Sequence, residues 1–348
     1  MFVQNKTIDD STICQAGEVS HLVPKIFHKL ETTLNLIDRR YCYFDKGRST
    51  VLSLKNLLCK LPIQIDVICL HWISGFVSLG TIQELQRIYK CKVYWYILDM
   101  APMTGGCHYA WNCTNYKSDC LNCPATRWPY NRKSHRLLQW KKNIINNMKI
   151  ELLAPSKWLE SQLKSSFIFN NTKIHRMLIS VNEVVFSPIN DIKRKYYKNL
   201  YNIDNSKRVI SFGTSNFSDK RKGVKYLLEA LSAMPHSNDI VIVTSGNFDI
   251  EPDSITKLGY SHTHLGYLND ERALSIFYKI SDIFISTSIE DSGPMMINES
   301  IMCGTPVVSF DMGVASDLII ENKTGYVAKL KDSNDLSFGI QKILELNE

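Results

Sequence analysis

The chain contains no apolar run long enough to cross a bilayer, which excludes a membrane-spanning helix. Residues 1–30 lack the charged-then-apolar order of a secretion signal, so the sequence reads as a protein of the cytoplasm. No internal repeat or low-complexity tract is present, which excludes a repeat array. Acid is missing from one stretch in particular: between Cys120 and Ile150 there is none, while Arg127, Arg132, Lys133, Arg136, Lys141, Lys142 and Lys149 fall there. With Trp128, Tyr130, Leu137, Leu138, Trp140, Ile144 and Ile145 this is the composition of an interfacial helix that can rest on anionic lipid. A solvated helix laid over a core has the same composition. No nucleic-acid motif accompanies the charge, which argues against nucleic acid as a partner.

What is present suffices for two domains of ordinary size: 348 residues, 44% of them hydrophobic. In the C-terminal half, strand-like runs at 209–212, 240–244, 283–286 and 306–310 alternate with helical patterns at 224–234, 273–280 and 295–302. That order predicts βαβ units and a parallel sheet. The N-terminal half is also α/β, with expected strands at 65–70, 93–98 and 151–154 and helices near 80–90, 134–149 and 156–166. Asn182 to Pro188 reads as the link, and a charged helix-like stretch, 192–201, follows it. The expected domains are 1–185 and 186–348.

One segment concentrates the chemistry: SIEDSGPMMINESIMCGTPVVSFDMGVASDLIIENKTGY, from Ser288 to Tyr326. An apolar strand precedes it, and Gly293 and Pro294 then open a helix, from Met295, whose free backbone N–H groups can hold a phosphate. Asp291 stands before that helix and Glu299 about a turn and a half inside it, so the two acids can accept hydrogen bonds from hydroxyls at two places. Gly304 ends the helix. The plainer reading is an ordinary βαβ crossover with solvated acids. Earlier in the chain, Gly213 follows a strand, and Lys220-Arg221-Lys222-Gly223 precedes a helix. Cations held there can stabilise the charge of a departing diphosphate.

These segments resemble the donor site of the family 4 glycosyltransferases, retaining enzymes of the GT-B fold. The resemblance implies two Rossmann-like α/β domains facing a cleft, with the nucleotide-sugar donor on the C-terminal one and the acceptor on the N-terminal one. The family's paired acids then fall on Asp291 and Glu299, with Glu290 as an adjacent substitute. Lys222 is implied as the phosphate-contacting lysine. Arg221 either takes the place of an arginine the family carries where this chain has Thr214, or is solvated. Gly213, Gly293, Pro294 and Met295 complete the donor-binding set. The resembled enzymes begin with a strand and a glycine-rich loop, whereas this chain opens at MFVQNKTIDD, similar to their second strand. The reading therefore expects about one βα unit fewer at the start.

The second dense segment is ILDMAPMTGGCHYAWNCTNYKSDCLNCP, from Ile97 to Pro124. Of the ten cysteines, four cluster here, Cys107, Cys113, Cys120 and Cys123, as a Cys-rich insertion at 104–124. Four thiolates can close a tetrahedral structural zinc site, and Cys120-x-x-Cys123 is its tight half; unliganded reduced thiols are the alternative. The segment also resembles a bacterial surface-polysaccharide subgroup with Leu-His-Asp-Met followed by Thr-Gly-Gly-Cys-His-Tyr. Here Leu98 replaces the histidine, and leucine neither moves a proton nor bonds a hydroxyl. Asp99 and His108 remain nearby in sequence, either of them a candidate to orient an acceptor, and His71-Trp72 also matches the subgroup.

What the resemblance implies is transfer of a hexosyl group, with retention, from a nucleoside diphosphate sugar to a lipid-linked oligosaccharide. Such transfer builds O-antigen, capsule or exopolysaccharide at the inner face of the cytoplasmic membrane. Asp291, Lys222 and Asp99 are its candidate catalytic residues, and the resemblance implies that no catalytic metal is required. The rival readings are a relative that binds nucleotide without turnover, and a zinc-stabilised module that docks membrane or nucleic acid.

Overall fold

The computed structural model describes residues 2–3, 13–15, 36–43, 53–128, 132–247 and 253–346. It divides into two compact units, residues 1–155 with 159–177, and residues 156–158 with 178–348. The division after 177 precedes the boundary expected at 185.

The N-terminal unit holds a two-stranded parallel pair, β1 (Phe2–Val3) and β2 (Cys14–Gln15), and a separate parallel sheet. That sheet runs β3 (Val67–Leu70), β4 (Lys92–Tyr96), β5 (Ile150–Ala154) and β6 (Ile174–Arg176), in sequence order. Helices Leu79–Tyr89, Lys133–Asn146 and Lys157–Ser165 accompany it. Ser78 starts the first of these by accepting the Thr81 N–H at 3.1 Å, the bond an N-cap serine makes to an orphan donor. The strand expected to run to Leu98 ends at Tyr96, and Leu98 lies in the turn beyond.

The C-terminal unit holds six parallel strands: β7 (Arg208–Asn216), β8 (Ile240–Asn247), β9 (Ser261–His264), β10 (Ile283–Ser286), β11 (Val307–Phe310) and β12 (Gly325–Ala328). Their order across the sheet is β12-β11-β10-β7-β8-β9. The chain therefore winds outward from β7 in one direction, then returns past it and winds the other way, the doubly wound Rossmann order. All four residues of β10 are buried, as a central strand covered on both faces requires. Its Phe284 shares one contiguous core with Val209, Val243, Phe277, Tyr278, Ile297 and Val307. β7 runs on to Asn216, past the end expected at Phe212, with a register shift against β8 between Gly213 and Asn216. Helices Asp191–Leu200 and Glu271–Lys279 start on Asn190 and Asp270, whose side chains accept N–H groups of Lys193 and Ala273 at 3.0 Å.

Candidate functional site

A doubly wound sheet opens one crevice where its winding reverses, outside the C-terminal ends of the two central strands. Here those are β7 and β10. The loop after β7 ends in a 3₁₀ turn, Lys220–Lys222, capped by Asp219, whose carboxylate accepts the Arg221 N–H at 3.0 Å. Two hydrogen bonds tie that turn to the loop after β10: Thr287 Oγ1 donates to the Lys222 carbonyl (2.6 Å) and Ile289 N–H to the Arg221 carbonyl (2.8 Å). Gly223 then turns the chain at φ +64°, where a Cβ would lie 2.1 Å from the Thr287 carbonyl oxygen. Both conformation and space therefore demand glycine.

Across this junction Lys222 Nζ donates to Asp291 Oδ2 at 2.7 Å, the two side chains being 22% and 16% exposed. Asp291 Oδ1 accepts the Gly293 N–H at 3.2 Å. Helix Met295–Met302 follows, with Pro294 at the N-cap position and no side chain capping it. The Ile297 N–H goes to the Pro294 carbonyl at 3.2 Å, and no side chain caps the N–H groups of Met295 and Met296 before it. Gly313, after β11, packs on this entrance, and a Cβ there would stand 2.9 Å from Pro294 Cδ. On β7, a Cβ on Gly213 would meet Met296 Cε at 2.3 Å, so the bare strand end admits the first turn of the helix. Lys222, Asp291, Gly293, Pro294, Met295 and Gly213, chosen from sequence, are brought together.

Glu299 lies deeper. Its carboxylate accepts the hydroxyl of fully buried Tyr278 at 2.8 Å. Burial pushes its pKa above the ordinary carboxylate range, against the opposing pull of the Tyr278 hydrogen bond. Arg221 pairs with Asp219 within its own turn. Its cation is therefore engaged beside Lys222. Thr287, Tyr278 and Gly313 were not singled out from sequence, because each acts through a contact with a residue far away in the chain.

In the N-terminal unit, Asp99 is neither open nor alone. One carboxylate oxygen accepts the Ala101 N–H at 2.7 Å, and the other stands 2.7 Å from His108 Nδ1, both side chains being 7% exposed. Trp72 stacks on the imidazole at 4.8 Å between ring centres. Asp99 and His108, either of which was expected to orient an acceptor, are thus hydrogen-bonded to each other. Leu98 lines a cavity of about 50 Å3 with His71, Trp72, Asp99, Trp140 and Lys141, so an imidazole is present there although position 98 has none.

The basic stretch, read either as an interfacial helix or as a helix over a core, lies in the same unit. In helix Lys133–Asn146, Leu137, Leu138 and Ile145 are buried, so its apolar side faces its own core. Lys141 is buried with them and donates to the Ala101 and Thr104 carbonyls at 2.7 and 2.9 Å; desolvation lowers its pKa to about 8. Lys142 donates to the Ile168 carbonyl at 3.0 Å. What stays outward is Arg127, Arg132, Arg136, Lys149 and Trp128, the last 80% exposed; Tyr130 lies outside the described residues. No helix of the described residues is long and apolar enough to cross a membrane. The four clustered cysteines are free thiols, and among the described residues no group of three or more His, Cys, Asp or Glu stands ready to hold a metal ion.

Residues 200–348 match the family described as glycosyl transferases group 1. The chain is 24% identical over 202 residues to an uncharacterized glycosyltransferase of Methanocaldococcus jannaschii, covering 56% of this chain and 50% of that protein. It is 26% identical over 170 residues to the N,N'-diacetylbacillosaminyl-diphospho-undecaprenol alpha-1,3-N-acetylgalactosaminyltransferase of Campylobacter jejuni, covering 48% and 44%. The chain spans about half the length of these curated relatives. Among solved structures it resembles Anabaena HepE in complex with UDP-glucose, with TM-score 0.55, 16% identity, and coverage of 80% of this chain and 69% of that one. The fold is thus two Rossmann-like α/β domains of the GT-B glycosyltransferase type.

Proposed function

We propose that the protein is a glycosyltransferase that moves a hexosyl group from a nucleoside diphosphate sugar, with retention, to a lipid-linked oligosaccharide. The observation that carries this reading is the Lys222–Asp291 pair beside an uncapped helix N-terminus, at the point where the sheet reverses. An ammonium has three donors, and Asp291 takes one, so Lys222 is oriented by its partner while two N–H groups remain for a diphosphate. The N–H groups after Pro294 face the same charge with the positive end of the helix. Both are fixed before substrate arrives, which is what electrostatic stabilisation of a leaving group needs. Asp291, held by Lys222 and Gly293, retains lone pairs for a sugar hydroxyl, and Glu299 accepts the ribose diol.

In the transfer itself, the bond from the sugar C1 to the diphosphate oxygen breaks and the acceptor oxygen bonds C1 on the same face. The acceptor proton passes to the departing phosphate oxygen, so neither a metal nor a histidine at position 98 is required. Asp99 acts in this scheme by holding His108 at the acceptor side of the N-terminal unit. A UDP-sugar is the first donor to try, since the Anabaena neighbour holds UDP-glucose. The Campylobacter relative is named for a diphospho-undecaprenol-linked acceptor, which supports a lipid carrier here and work at the cytoplasmic face of a membrane.

The test is binding and turnover of UDP-, GDP- and dTDP-sugars by the purified chain, beside Lys222→Ala and Glu299→Ala, with the product anomer read by NMR. Turnover lost in both variants, with retained configuration, is expected. Failure to bind any of these nucleotides would overturn the donor site, and binding without turnover would reduce the protein to a nucleotide-binding relative.

A further inference from the structure

We propose that the outer face of helix Asp191–Leu200, near the start of the C-terminal unit, docks on an anionic lipid surface. The helix is fastened to its own unit by the other face. Arg194 donates to Asp282 Oδ1 at 2.7 Å, buried Lys198 donates to the Lys207 carbonyl at 2.8 Å, and Tyr197 packs on the apolar core. Positions 194, 197 and 198 share one side of a helix, and Tyr201, just past its end, continues that side onto the same core. The fold therefore uses this face and leaves the opposite one open.

That open face carries Ile192, Tyr196 and Leu200, which are 79, 60 and 57% exposed. Residues four apart stand one above another on a helix, so the three form a continuous apolar ridge. A single exposed leucine calls for no explanation, whereas three apolar side chains in register on a face with no role in the core do. At about 100° per residue, Lys193 lies about 60° to one side of the ridge and Lys195 about 100° to the other. Both lysines are exposed, and neither side chain has a partner among the described residues. Of the four cations on this helix, two are thus turned inward onto acceptors and two stand free beside the ridge. The helix has one acid, Asp191, in its first turn.

An apolar ridge edged by free lysines matches the boundary between lipid headgroups and acyl chains. Ile192 and Leu200 enter the acyl side, Tyr196 keeps its hydroxyl among the headgroups, and the lysine stems lie along the surface with their ammonium groups at the phosphates. A second copy of the chain fits less well. A ten-residue helix is about 15 Å long, and a face about 10 Å wide offers on the order of 150 Å2, against about 800 Å2 per partner in a stable interface. A two-fold contact would also set the lysines of one copy against those of the other. A lipid surface needs no complementary shape and supplies the opposite charge. Apolar ridge and cations each bind weakly, and only together do they hold. The surface lies outside the donor site, so the proposal stands or falls apart from the transfer chemistry.

The full-length chain should float with vesicles of phosphatidylcholine and phosphatidylglycerol at low salt, and not with phosphatidylcholine alone. Ile192→Ser with Leu200→Ser should lower partitioning roughly tenfold or more, since about 55 Å2 of transferred apolar surface accounts for that factor. Lys193→Gln with Lys195→Gln should lower it by a similar factor at low salt and by little at high salt. Ile320→Ser, at another exposed apolar residue, should leave partitioning unchanged, and UDP binding and melting temperature should be unchanged in every variant. Serine variants that partition like the unmutated chain, or no more weakly than Ile320→Ser, overturn the proposal. So does a chain that is dimeric in solution and becomes monomeric on Ile192→Ser with Leu200→Ser, which would make the ridge an interface between copies. If the serine variants do not fold, Tyr196→Trp decides: vesicles should shift the added emission to the blue and brominated lipid should quench it, whereas solvent-like emission from the bound chain overturns the proposal.

Discussion

The two units treat polar groups in opposite ways. In the C-terminal unit the charged pair at the reversal of the sheet, Lys222 with Asp291, keeps contact with solvent and lies beside an uncapped helix entrance. In the N-terminal unit Asp99, His108 and Lys141 are buried, with the carboxylate and the ammonium each holding two partners inside the protein. An open group with unused donors is poised for a ligand; a closed one has spent its hydrogen bonds on the framework. The proposed donor role rests on that difference, although both units are built on the same parallel α/β plan.

The sharpest way to break this comparison is Asp99→Ala. The Ala101 N–H and the His108 ring would lose their acceptor, at about 1–3 kcal/mol for each buried group. The melting transition of the N-terminal unit should fall while nucleotide affinity at the C-terminal unit stays unchanged. Lys222→Ala should do the reverse. Removing one fixed donor to a leaving group lowers kcat by roughly 10²–10³-fold, with little change in melting temperature. Equal loss of stability in both variants would erase the distinction.

The parts of this architecture that sequence exposes are the ones made by neighbours. Ile283 to Ser286 is uninterrupted and apolar, and Gly293-Pro294 marks the following helix entrance, so both elements fall where they were expected. β9 reads Ser-His-Thr-His and lies at the sheet edge, where no apolar pattern is imposed, so nothing in its sequence marks a strand. The Lys222–Asp291 bond joins residues on separate crossovers, and only the sheet order brings them together. Lys141 is a different case. Ser134, Leu137, Leu138, Lys141 and Ile145 repeat at helical spacing and form one buried stripe. The periodicity was present, but the charge count concealed it.

Lys141→Leu therefore tests a buried cation with smaller consequences. It leaves the Ala101 and Thr104 carbonyls without a donor, at about 1–3 kcal/mol, partly offset by removal of a desolvated ammonium. Because burial lowers this pKa to about 8, the folded chain disfavours the proton that the unfolded chain still holds below its ordinary value near 10.5. The cost grows as pH falls from that value toward 8 and is constant below it, so the unmutated chain should gain stability above pH 8 and the leucine variant should not. Glu299 gives a milder dependence at the other end of the scale. Its carboxyl is raised by burial, so nucleotide affinity should weaken as pH falls through a range above ordinary carboxylates, as the acceptor for the ribose is protonated. On stability the sign is opposite: the folded chain holds this proton more tightly, and the benefit is lost as pH rises through the same window. Glu299→Gln should flatten both.

The smallest effect on the fold is expected at Trp128, and it decides what remains of the basic face. Trp128 is 80% exposed, so replacing it by alanine should change stability by no more than about 0.5 kcal/mol. The helix behind it packs Leu137, Leu138 and Ile145 into the core, so that apolar side is not the one it would offer to a membrane. The lipid contact this substitution tests is one made by Trp128 with Arg127, Arg132 and Arg136, an aromatic ring and cations that are all exposed. Each such cation near an anionic surface is worth about 1 kcal/mol and is screened within a Debye length. Vesicles containing anionic lipid should bind the chain at low salt and release it as salt rises, with Trp128→Ala weakening binding at every salt concentration. Binding unchanged by the substitution would leave the exposed tryptophan without a membrane role, and the two units would then differ only in how they hold their polar groups.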